Sequence, residues 1–246
     1  MKKFLFELKQ FVITAFRLLY AFIDGGTECV ICSKITFLSP VCKACMNRYF
    51  SVDALLKAPR CECCGKELVS EKNKCLRCRT NPVLKSTDVV IPLFSYRLWN
   101  KELMFRWKMQ GERTFSAVFA SLLNDVLVKR GETVLVPVPP RKGKIRKNGW
   151  DQIDELCTFL EKRYGFKVLR VLERNSTEQQ KKLNRSERLD SIKKSYSLRA
   201  FKGSLPEHVC IIDDVSTTGA TLESCAEILK GGGVKTVNAV TLFTVD

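Results

Sequence analysis

The segment 209–221 constrains the fold of this chain more than any other, because it joins a continuous apolar run to two adjacent carboxylates and a hydroxyl-rich turn. Short continuous apolar runs are typical of strands that are buried on both faces, as in parallel sheets. A helix-like stretch, 222–230, follows the turn, and the run 237–243 predicts another strand. The order strand, helix, strand indicates a βαβ unit, so we expect an open α/β sheet.

The polar residues of this segment predict a binding site at the end of its strand, since ligands of open α/β sheets lie beyond the carboxyl ends of the strands. The backbone N–H groups of 217–220, which open a helix, are suited to hold a phosphate. Asp213 and Asp214 would repel a phosphate and instead suit the vicinal hydroxyls of a ribose. These features predict a sugar-phosphate site. The alternative is a plain strand–turn–helix with Ser216 or Thr217 as N-cap, but capping alone does not call for a buried strand that ends in paired acids.

The same segment resembles the phosphoribosyl pyrophosphate (PRPP) binding signature of the type I phosphoribosyltransferases, in which a hydrophobic strand precedes two acids, two variable residues and Thr-Thr-Gly. The resemblance implies that Asp213 and Asp214 hold the ribose hydroxyls of PRPP, with Mg²⁺ as the accompanying ion. It also implies a set of residues that bind the 5′-phosphate, namely Ser216, Thr217, Thr218, Gly219, Ala220 and Thr221.

The charge balance favours a phosphate-rich partner or substrate. The 246 residues include 42 Lys and Arg against 26 Asp and Glu, a formal net charge of +16. Such a chain attracts polyanions and gains from counterion release, but charge alone does not separate a nucleic acid from PRPP or an anionic membrane. The length allows one domain of ordinary size together with a small module.

Most of the twelve cysteines are concentrated between residues 29 and 78. Charged residues interrupt the apolar runs of the first 25 residues, so we expect no signal peptide and a cytoplasmic location. In that compartment clustered cysteines are metal ligands more often than disulfides. The candidate ligands form four pairs of Cys-x2-Cys spacing, Cys29, Cys32, Cys42, Cys45, Cys61, Cys64, Cys75 and Cys78.

Each Cys-x2-Cys pair presents two thiolates to one ion, and two pairs complete a tetrahedron. We expect two structural zinc ions bound by sequential pairs, in preference to a cross-braced arrangement, with Cys63 left over as an odd thiol. The ribbon-like spacing favours zinc over an iron–sulfur cluster, and redox cycling of the pairs is a weaker alternative. Four thiolates leave no open coordination position, so the module is structural or binds a partner.

The first 26 residues predict an amphipathic helix, which is too charged to span a membrane. Packing on the rest of the chain is the favoured interpretation of its apolar face. A groove of a partner protein and a membrane surface are the alternatives, which helical periodicity does not separate.

The middle of the chain is strongly basic. A strand is predicted at 134–138, where prolines end its ladder, and a run of cations that includes Arg141 and Lys142 follows. These side chains either face a diphosphate or a nucleic-acid backbone, or belong to a solvated loop. A second basic stretch, 177–194, contains Arg185 and Arg188 and predicts either a cationic flap over an anionic substrate or a solvated linker.

Taken together, the pieces resemble the ComF family of bacterial competence proteins, which combine an N-terminal zinc-ribbon region with a phosphoribosyltransferase-like domain. The resemblance rests on the eight paired cysteines, Lys108, Gly111, Pro137, Pro139, Gly149, Gln152, Thr177, Gln180, Leu183, Arg185, Glu187, Arg188 and the segment 213–221. Around Gly149 the family pattern Arg-Gly-Phe-Asn-Gln differs here, because Asn148 replaces the cation and Asp151 adds an acid.

The family resemblance implies a fold, a domain organisation and a function. We expect an α/β fold, a type I phosphoribosyltransferase-like parallel sheet with helices on both faces, preceded by a small four-cysteine double zinc ribbon module. The expected units are the N-terminal helix 1–26, the double zinc ribbon 27–85 and the phosphoribosyltransferase-like domain 86–246. Lys108, Arg141, Lys142, Arg185 and Arg188 become candidates for a diphosphate or a DNA backbone.

Two functions follow from the resemblance, because no site for an acceptor base is legible in the sequence. The favoured one is a protein of natural transformation that binds PRPP and single-stranded DNA and works with the DNA-uptake machinery. The alternative is an active Mg²⁺-dependent phosphoribosyltransferase of the nucleotide-salvage type, acting on an unidentified acceptor.

Overall fold

The computed structural model describes residues 28–36, 39–141, 143–145, 149–175, 195–200 and 203–245, together with Val12, Ala15, Phe16 and Leu19. Those four single residues have helical backbone and are exposed, and the rest of the predicted helix 1–26 lies outside the described residues. Within the described part of the chain, no helix has the length and apolar character needed to cross a membrane.

The fold consists of short helices in the cysteine-rich segment followed by alternating strands and helices. The helices are α1 (Lys43–Tyr49), α2 (Val52–Lys57), α3 (Leu76–Thr80), α4 (Leu98–Phe105) with a π-helical turn Arg106–Gln110, α5 (Thr114–Arg130), α6 (Gln152–Tyr164) and α7 (Ala220–Gly231). The strands are β1 (Val89–Ser95), β2 (Val134–Pro137), β3 (Lys167–Val168), β4 (Leu172–Arg174), β5 (Tyr196–Leu198), β6 (His208–Ser216) and β7 (Thr236–Thr244).

Five strands form a parallel sheet in the order β1-β7-β6-β2-β3, while β4 and β5 form a separate antiparallel pair. The strands predicted near residues 134, 209 and 237 are all present. β6, α7 and β7 make the predicted βαβ unit, since β6 and β7 are parallel neighbours. The prediction of an α/β fold is confirmed.

The central strand β6 is apolar on both faces because each face packs against helices. Cys210 and Ile212 belong to a core that contains residues of α5 and α6. Val209 and Ile211 belong to a second core, which contains residues of α7. Helices therefore cover both faces of the sheet, and the continuous apolar run that the sequence shows at β6 follows from this double burial.

The strand order places a crevice between β2 and β6. From β2 the chain goes on to its neighbour β3, whereas from β6 it goes on to β7 on the opposite side. The last pair between β2 and β6 joins Pro137 to Ile212, while β6 continues beside β7 as far as Ser216. The carboxyl ends of β2 and β6 thus form a topological switch point, where open α/β sheets bind their ligands.

The cysteine-rich segment packs directly on the sheet. Phe50, at the end of α1, contacts Phe94 of β1 edge-on, with ring centroids 5.2 Å apart. Gly65 has φ +67°, and a Cβ there would lie 2.0 Å from the carbonyl oxygen of Val90, so only glycine fits against β1. The predicted unit boundaries at 26/27 and 85/86 stay predictions.

Candidate functional site

The two predicted acids lie on β6 at the switch point. Asp213 is buried, and its Oδ1 accepts a hydrogen bond from the backbone N–H of Asp214 at 2.8 Å. Burial raises the pKa of the Asp213 carboxyl well above its ordinary value, and the neighbouring Asp214 carboxylate adds to the increase. The hydrogen bond from Asp214 and the charge of Lys108 oppose this shift. The pair thus offers one buried and one more accessible carboxyl to the crevice.

Lys108 reaches the acids from the π-helical turn Arg106–Gln110. Its Nζ lies 2.5 Å from Oδ2 of Asp214. The preceding Trp107 is fully buried and donates from Nε1 to Oγ of Ser116 at 2.8 Å, which fixes the turn against α5. Single π-turns inside helices often occur at functional sites. The structure therefore brings one predicted cation of the diphosphate site onto the predicted ribose-binding pair.

The predicted phosphate loop follows β6 directly. Ser216 is still part of β6 and is buried beside Thr244, whereas Thr217 is exposed. Helix α7 begins at Ala220, and its N-cap is Gly219 rather than Ser216 or Thr217. The hydroxyl of Thr218 accepts from the N–H of Ala220 at 3.3 Å.

Two features favour glycine at position 219. Its φ is +86°, and a Cβ would lie 3.0 Å from Cδ2 of Leu84. The N–H groups in the first turn of α7 have no partner within the helix, so they are suited to bind an anion. Thr221, in that first turn, is half-buried. The loop therefore has the chemistry of a phosphate site, beside two carboxylates that suit a diol.

The loop is held in place by residues that sequence analysis missed. Arg77, in the second cysteine segment, donates from Nη1 to the backbone carbonyl of Thr217. The buried Glu223 of α7 accepts from the N–H groups of Ser86 at 2.6 Å and Thr87 at 3.1 Å. No local pattern signals these contacts, because the partners are more than a hundred residues apart in sequence.

The remaining predicted cations are not brought to the acids by any described contact. Arg141 is exposed and lines a cavity beyond the end of β2. Lys142, Arg185 and Arg188 lie outside the described residues.

The acid that departs from the family pattern is locally neutralised. Asp151 is the N-cap of α6, and its Oδ1 accepts from the N–H groups of Ile153 at 3.0 Å and Asp154 at 3.1 Å. Lys144 lies 2.7 Å from its other oxygen. The Asp151 carboxylate therefore caps α6 and pairs with Lys144, so it does not add an uncompensated negative charge to the loop.

The eight paired cysteines form two clusters, as the sequential pairing predicts. One holds Cys29, Cys32, Cys42 and Cys45 and the other Cys61, Cys64, Cys75 and Cys78, with all sulfur atoms of a cluster within 4.8 Å of one another. Cys63 belongs to neither of them. Four convergent thiols are the ligand set that tetrahedral zinc requires, so both clusters fit the ion.

One thiol in each cluster is prepared for deprotonation. Burial alone would raise the pKa of Cys29, but the backbone N–H groups of Cys42, Ile31 and Cys32 outweigh it and lower the value to about 6. Backbone N–H groups likewise outweigh burial at Cys61 and lower its pKa to about 7. N–H groups directed at sulfur stabilise the thiolate, which is the form that binds a metal.

Comparison with solved structures gives matches to phosphoribosyltransferases at low TM-scores. A hypoxanthine phosphoribosyltransferase of Staphylococcus aureus matches with TM-score 0.33 at 17% identity, over 52% of this chain and 62% of that one. A purine phosphoribosyltransferase of Pyrococcus horikoshii matches with TM-score 0.32 at 18% identity, over 65% and 88% of the two chains. No protein-family model matches the chain.

Curated relatives are competence proteins. Competence protein ComFC of Streptococcus pneumoniae is 31% identical over 153 residues, which cover 61% of this chain and 66% of that protein. Competence protein F of Haemophilus influenzae is 26% identical over 208 residues, 80% of this chain and 87% of that protein. ComFC of Bacillus subtilis is 28% identical over 158 residues, 61% and 62% of the two. With two four-cysteine clusters before a parallel α/β sheet, the chain belongs to the ComF family of competence proteins.

Proposed function

We propose that this protein acts in natural transformation in the cytoplasm, binding PRPP in the crevice between β2 and β6 and single-stranded DNA on its basic surface, as a partner of the DNA-uptake machinery. The observation that carries the proposal is the meeting of Asp213, Asp214 and the loop 217–220 at one topological switch point. Carboxylates accept hydrogen bonds from ribose hydroxyls, and the N–H groups at the start of α7 receive the 5′-phosphate.

Lys108 gives this crevice a cation beside the acids. Its contact with Asp214 compensates the carboxylate when no ligand is present. The same side chain is placed to share its charge with the diphosphate of PRPP. Mg²⁺ prefers oxygen ligands, which the two carboxylates and the diphosphate supply, and when bound it neutralises diphosphate charge.

The PRPP part is tested by titrating the zinc-loaded protein with PRPP and Mg²⁺ in a calorimeter. We expect saturable binding that Asp213→Asn and Asp214→Asn each weaken at least tenfold, because loss of a charged hydrogen-bond partner costs roughly 1.5–3 kcal/mol. Asp125→Asn removes an exposed acid on α5 and should leave the affinity unchanged. Absence of binding, or equal weakening by all three variants, would contradict the proposal.

We assign the two cysteine clusters to two structural zinc ions. Each cluster offers four thiols and no open position, so the metal holds the fold and performs no chemistry. The short helices around the clusters enclose little apolar surface of their own, so zinc binding supplies much of the folding free energy there.

The DNA part is supported by the net charge of +16 and by the competence relatives. Fluorescence anisotropy with a labelled oligo(dT) probe should show an affinity that falls steeply with salt, as expected when several phosphates are contacted. If the wild-type protein does not bind the probe at low salt, this part of the proposal is wrong, whatever the PRPP titration shows.

The second candidate function, an active phosphoribosyltransferase, is favoured by the position of Lys108 at the crevice where the diphosphate would leave. In such a transfer a lone pair of the acceptor forms a bond to the anomeric carbon. The bond from that carbon to the diphosphate oxygen breaks, the diphosphate keeps the electron pair, and the acceptor releases a proton. Pyrophosphate release that depends on an added purine or pyrimidine base, and is lost in Asp214→Asn, would establish it. Without acceptor-dependent release, binding alone remains.

A further inference from the structure

A groove lined by arginines lies beyond the carboxyl end of β2, on the side of the β4–β5 pair. One cavity of about 470 Å³ is lined by Pro139, Pro140, Arg141, Gly143, Ile145, Glu173, Arg174 and Arg199. A second cavity of about 170 Å³ adjoins it and shares Pro139, Pro140, Ile145 and Arg199 with the first. We refer to these two adjoining cavities together as the arginine groove.

The groove carries more positive than negative charge. Arg141 and Arg199 are exposed, so their guanidinium groups are available to a ligand in the groove. Among the described residues that line the larger cavity, Glu173 is the one with a carboxylate, which accepts a hydrogen bond from Ser197 at 3.1 Å. In the smaller cavity Arg170 is compensated by ion pairs with Asp154 and Glu161. Arg141, Arg174 and Arg199 therefore leave the larger cavity with an excess of cations.

Arg174 adds an observation that points to a ligand. Its Nε atom is buried without a hydrogen-bond partner, which within the described part of the chain is true of only one other side-chain polar atom. Its guanidinium stacks over the ring of Tyr196, 5.4 Å from the centroid, which fixes its plane. Arg174 also lines the larger cavity, so a guanidinium held in one orientation by the Tyr196 ring is suited to bind an anion there.

The groove meets the sugar-phosphate site from the face of the sheet that α7 covers. Tyr196 pairs with Arg174 across β4 and β5 and hydrogen-bonds with Thr221 of the phosphate loop. Lys108 approaches the acids from the opposite face, on which α5 packs. The arginines are thus a second cationic feature, separate from the lysine that faces the crevice.

We propose that the arginine groove binds successive phosphates of a single-stranded nucleic acid, which it leads toward the mouth of the sugar-phosphate crevice. The proposal rests on the DNA-binding part of the function above. Arginine suits this ligand because its planar guanidinium binds phosphate oxygens in a bidentate manner.

The test uses a double variant of the full-length, zinc-loaded protein, Arg141→Gln with Arg199→Gln. Both side chains are exposed, so the fold is not at risk. The matched control, Arg130→Gln with Lys162→Gln, removes the same charge from exposed positions at the ends of α5 and α6. The probe is fluorescent oligo(dT) of about 16 nucleotides, long enough for one domain-sized site. Binding is measured by anisotropy at several salt concentrations.

We expect the groove variant to bind the probe roughly tenfold more weakly at low salt than the wild type, and the control to change by less than about twofold. The slope of log affinity against log salt should become less steep by about 1.4, because each lost single-strand phosphate contact contributes about 0.7. PRPP titration, run on the same proteins, should give the same affinity for wild type, groove variant and control.

Three results would overturn the inference, and they are distinguishable. If the groove variant behaves like the control, the arginines do not contact the nucleic acid. If the groove variant loses PRPP affinity and keeps the probe, the arginines serve the small molecule. If the wild type itself does not bind the probe, the groove proposal fails together with the DNA part of the proposed function, while the PRPP part is judged by the Asp213 and Asp214 variants.

Discussion

At the scale of single residues, Asp213 shows a conflict between stability and binding. It is buried beside Asp214 with one backbone hydrogen bond, and burial raises its pKa well above the ordinary value of 3.8. An ionised carboxylate there is costly in the absence of a ligand, since each unit by which the pKa is raised corresponds to about 1.4 kcal/mol. A ribose diol offers the hydrogen bonds that the protein itself does not supply.

Asp213→Asn should therefore stabilise the ligand-free protein while it weakens PRPP binding. The pKa of Asp213 is raised in the folded state, so ionisation of this carboxyl lowers the free energy of unfolding of the wild type. This loss grows as pH rises above 3.8 and becomes constant once the pH exceeds the folded-state pKa. At neutral pH we expect a gain of at least about 1 kcal/mol, or roughly 2–4 °C in Tm for a chain of this size. Thermal unfolding of both proteins at intervals of about one pH unit, from pH 4 to neutrality, measures the difference in Tm between Asp213→Asn and the wild type.

The pH dependence separates this cause from a general packing effect. The gap in Tm should shrink toward zero as pH approaches the unfolded-state value, where the carboxyl is protonated in both states. Asp125→Asn, at an exposed site, should show no such trend. A gap that is constant with pH would show that ionisation of Asp213 is not its origin.

At the scale of elements, helix α3 links the second cysteine cluster to the phosphate loop. Cys75 is the N-cap of this helix and Cys78 lies within it, as does Arg77, whose guanidinium donates to the carbonyl of Thr217. A metal that fixes the two cysteines therefore also fixes the start of the loop. Helix α3 thus connects the second cysteine cluster to the phosphate loop.

Arg77→Ala should lower PRPP affinity roughly fivefold, because a hydrogen bond to a charged group on a partly exposed side chain contributes about 1 kcal/mol. Arg79→Ala, two residues along the same helix and exposed, is the matched control and should change nothing. Calorimetry with PRPP gives the affinity, and zinc content should be equal in both variants. A loss of zinc in Arg77→Ala would mean that the residue supports the cluster and not the loop.

The cysteine clusters make a prediction about metal content. The full-length protein should contain about two zinc ions per chain, and Cys61→Ser about one, since serine does not replace a thiolate ligand. Cys63→Ser should keep both ions, because Cys63 lies outside the two clusters although it is a neighbour in sequence. Metal analysis of the purified variants measures this. One zinc in the wild type would contradict the two-site assignment.

At the scale of the whole molecule, the two cysteine clusters differ in how they join the sheet. Residues of the first cluster share the large core of the sheet, together with Phe50 and Leu55. The second cluster has a small core of its own, in contact with Leu84. The first cluster therefore belongs to the same cooperative unit as the sheet. The second cluster does not share the core of the sheet and contacts the rest of the protein mainly through individual side chains.

Cys29→Ser should therefore destabilise the sheet more than Cys61→Ser does, although each removes one ligand. Unfolding followed by the fluorescence of Trp107 and Trp150, which contact each other beside α5, reports on the sheet. We expect the midpoint of Cys29→Ser to lie roughly 5 °C below that of Cys61→Ser, a difference of about 2 kcal/mol. Equal midpoints for the two variants would show that loss of a zinc ligand in the first cluster does not destabilise the sheet through the core that they share.

Local patterns in the sequence were sufficient to predict β2, β6, β7, the βαβ unit and the sequential pairing of the cysteines, but not the short strands β3, β4 and β5. Strands that are buried on both faces have continuous apolar sequences, and two cysteines separated by two residues can bind one ion. Each feature can therefore be recognised from a short segment of the sequence. The N-cap of α7 was harder to predict, because Gly219, with a positive φ, occupies a position at which Ser, Thr, Asp and Asn are usually preferred. The length of β6 was also underestimated, since pairing with β7 carries the strand past the acids to Ser216.

The sequence by itself determined the chemistry of the candidate site, because the acids, the hydroxyls and the glycine of 213–221 are neighbours in the chain. Only the tertiary structure decided what surrounds them. Lys108, Arg77 and Tyr196 come to this segment from three other elements. The arginine groove likewise joins the loop after β2 to the β4–β5 pair. Such contacts depend on sheet order and on which helix covers which face, and no spacing along the chain encodes them.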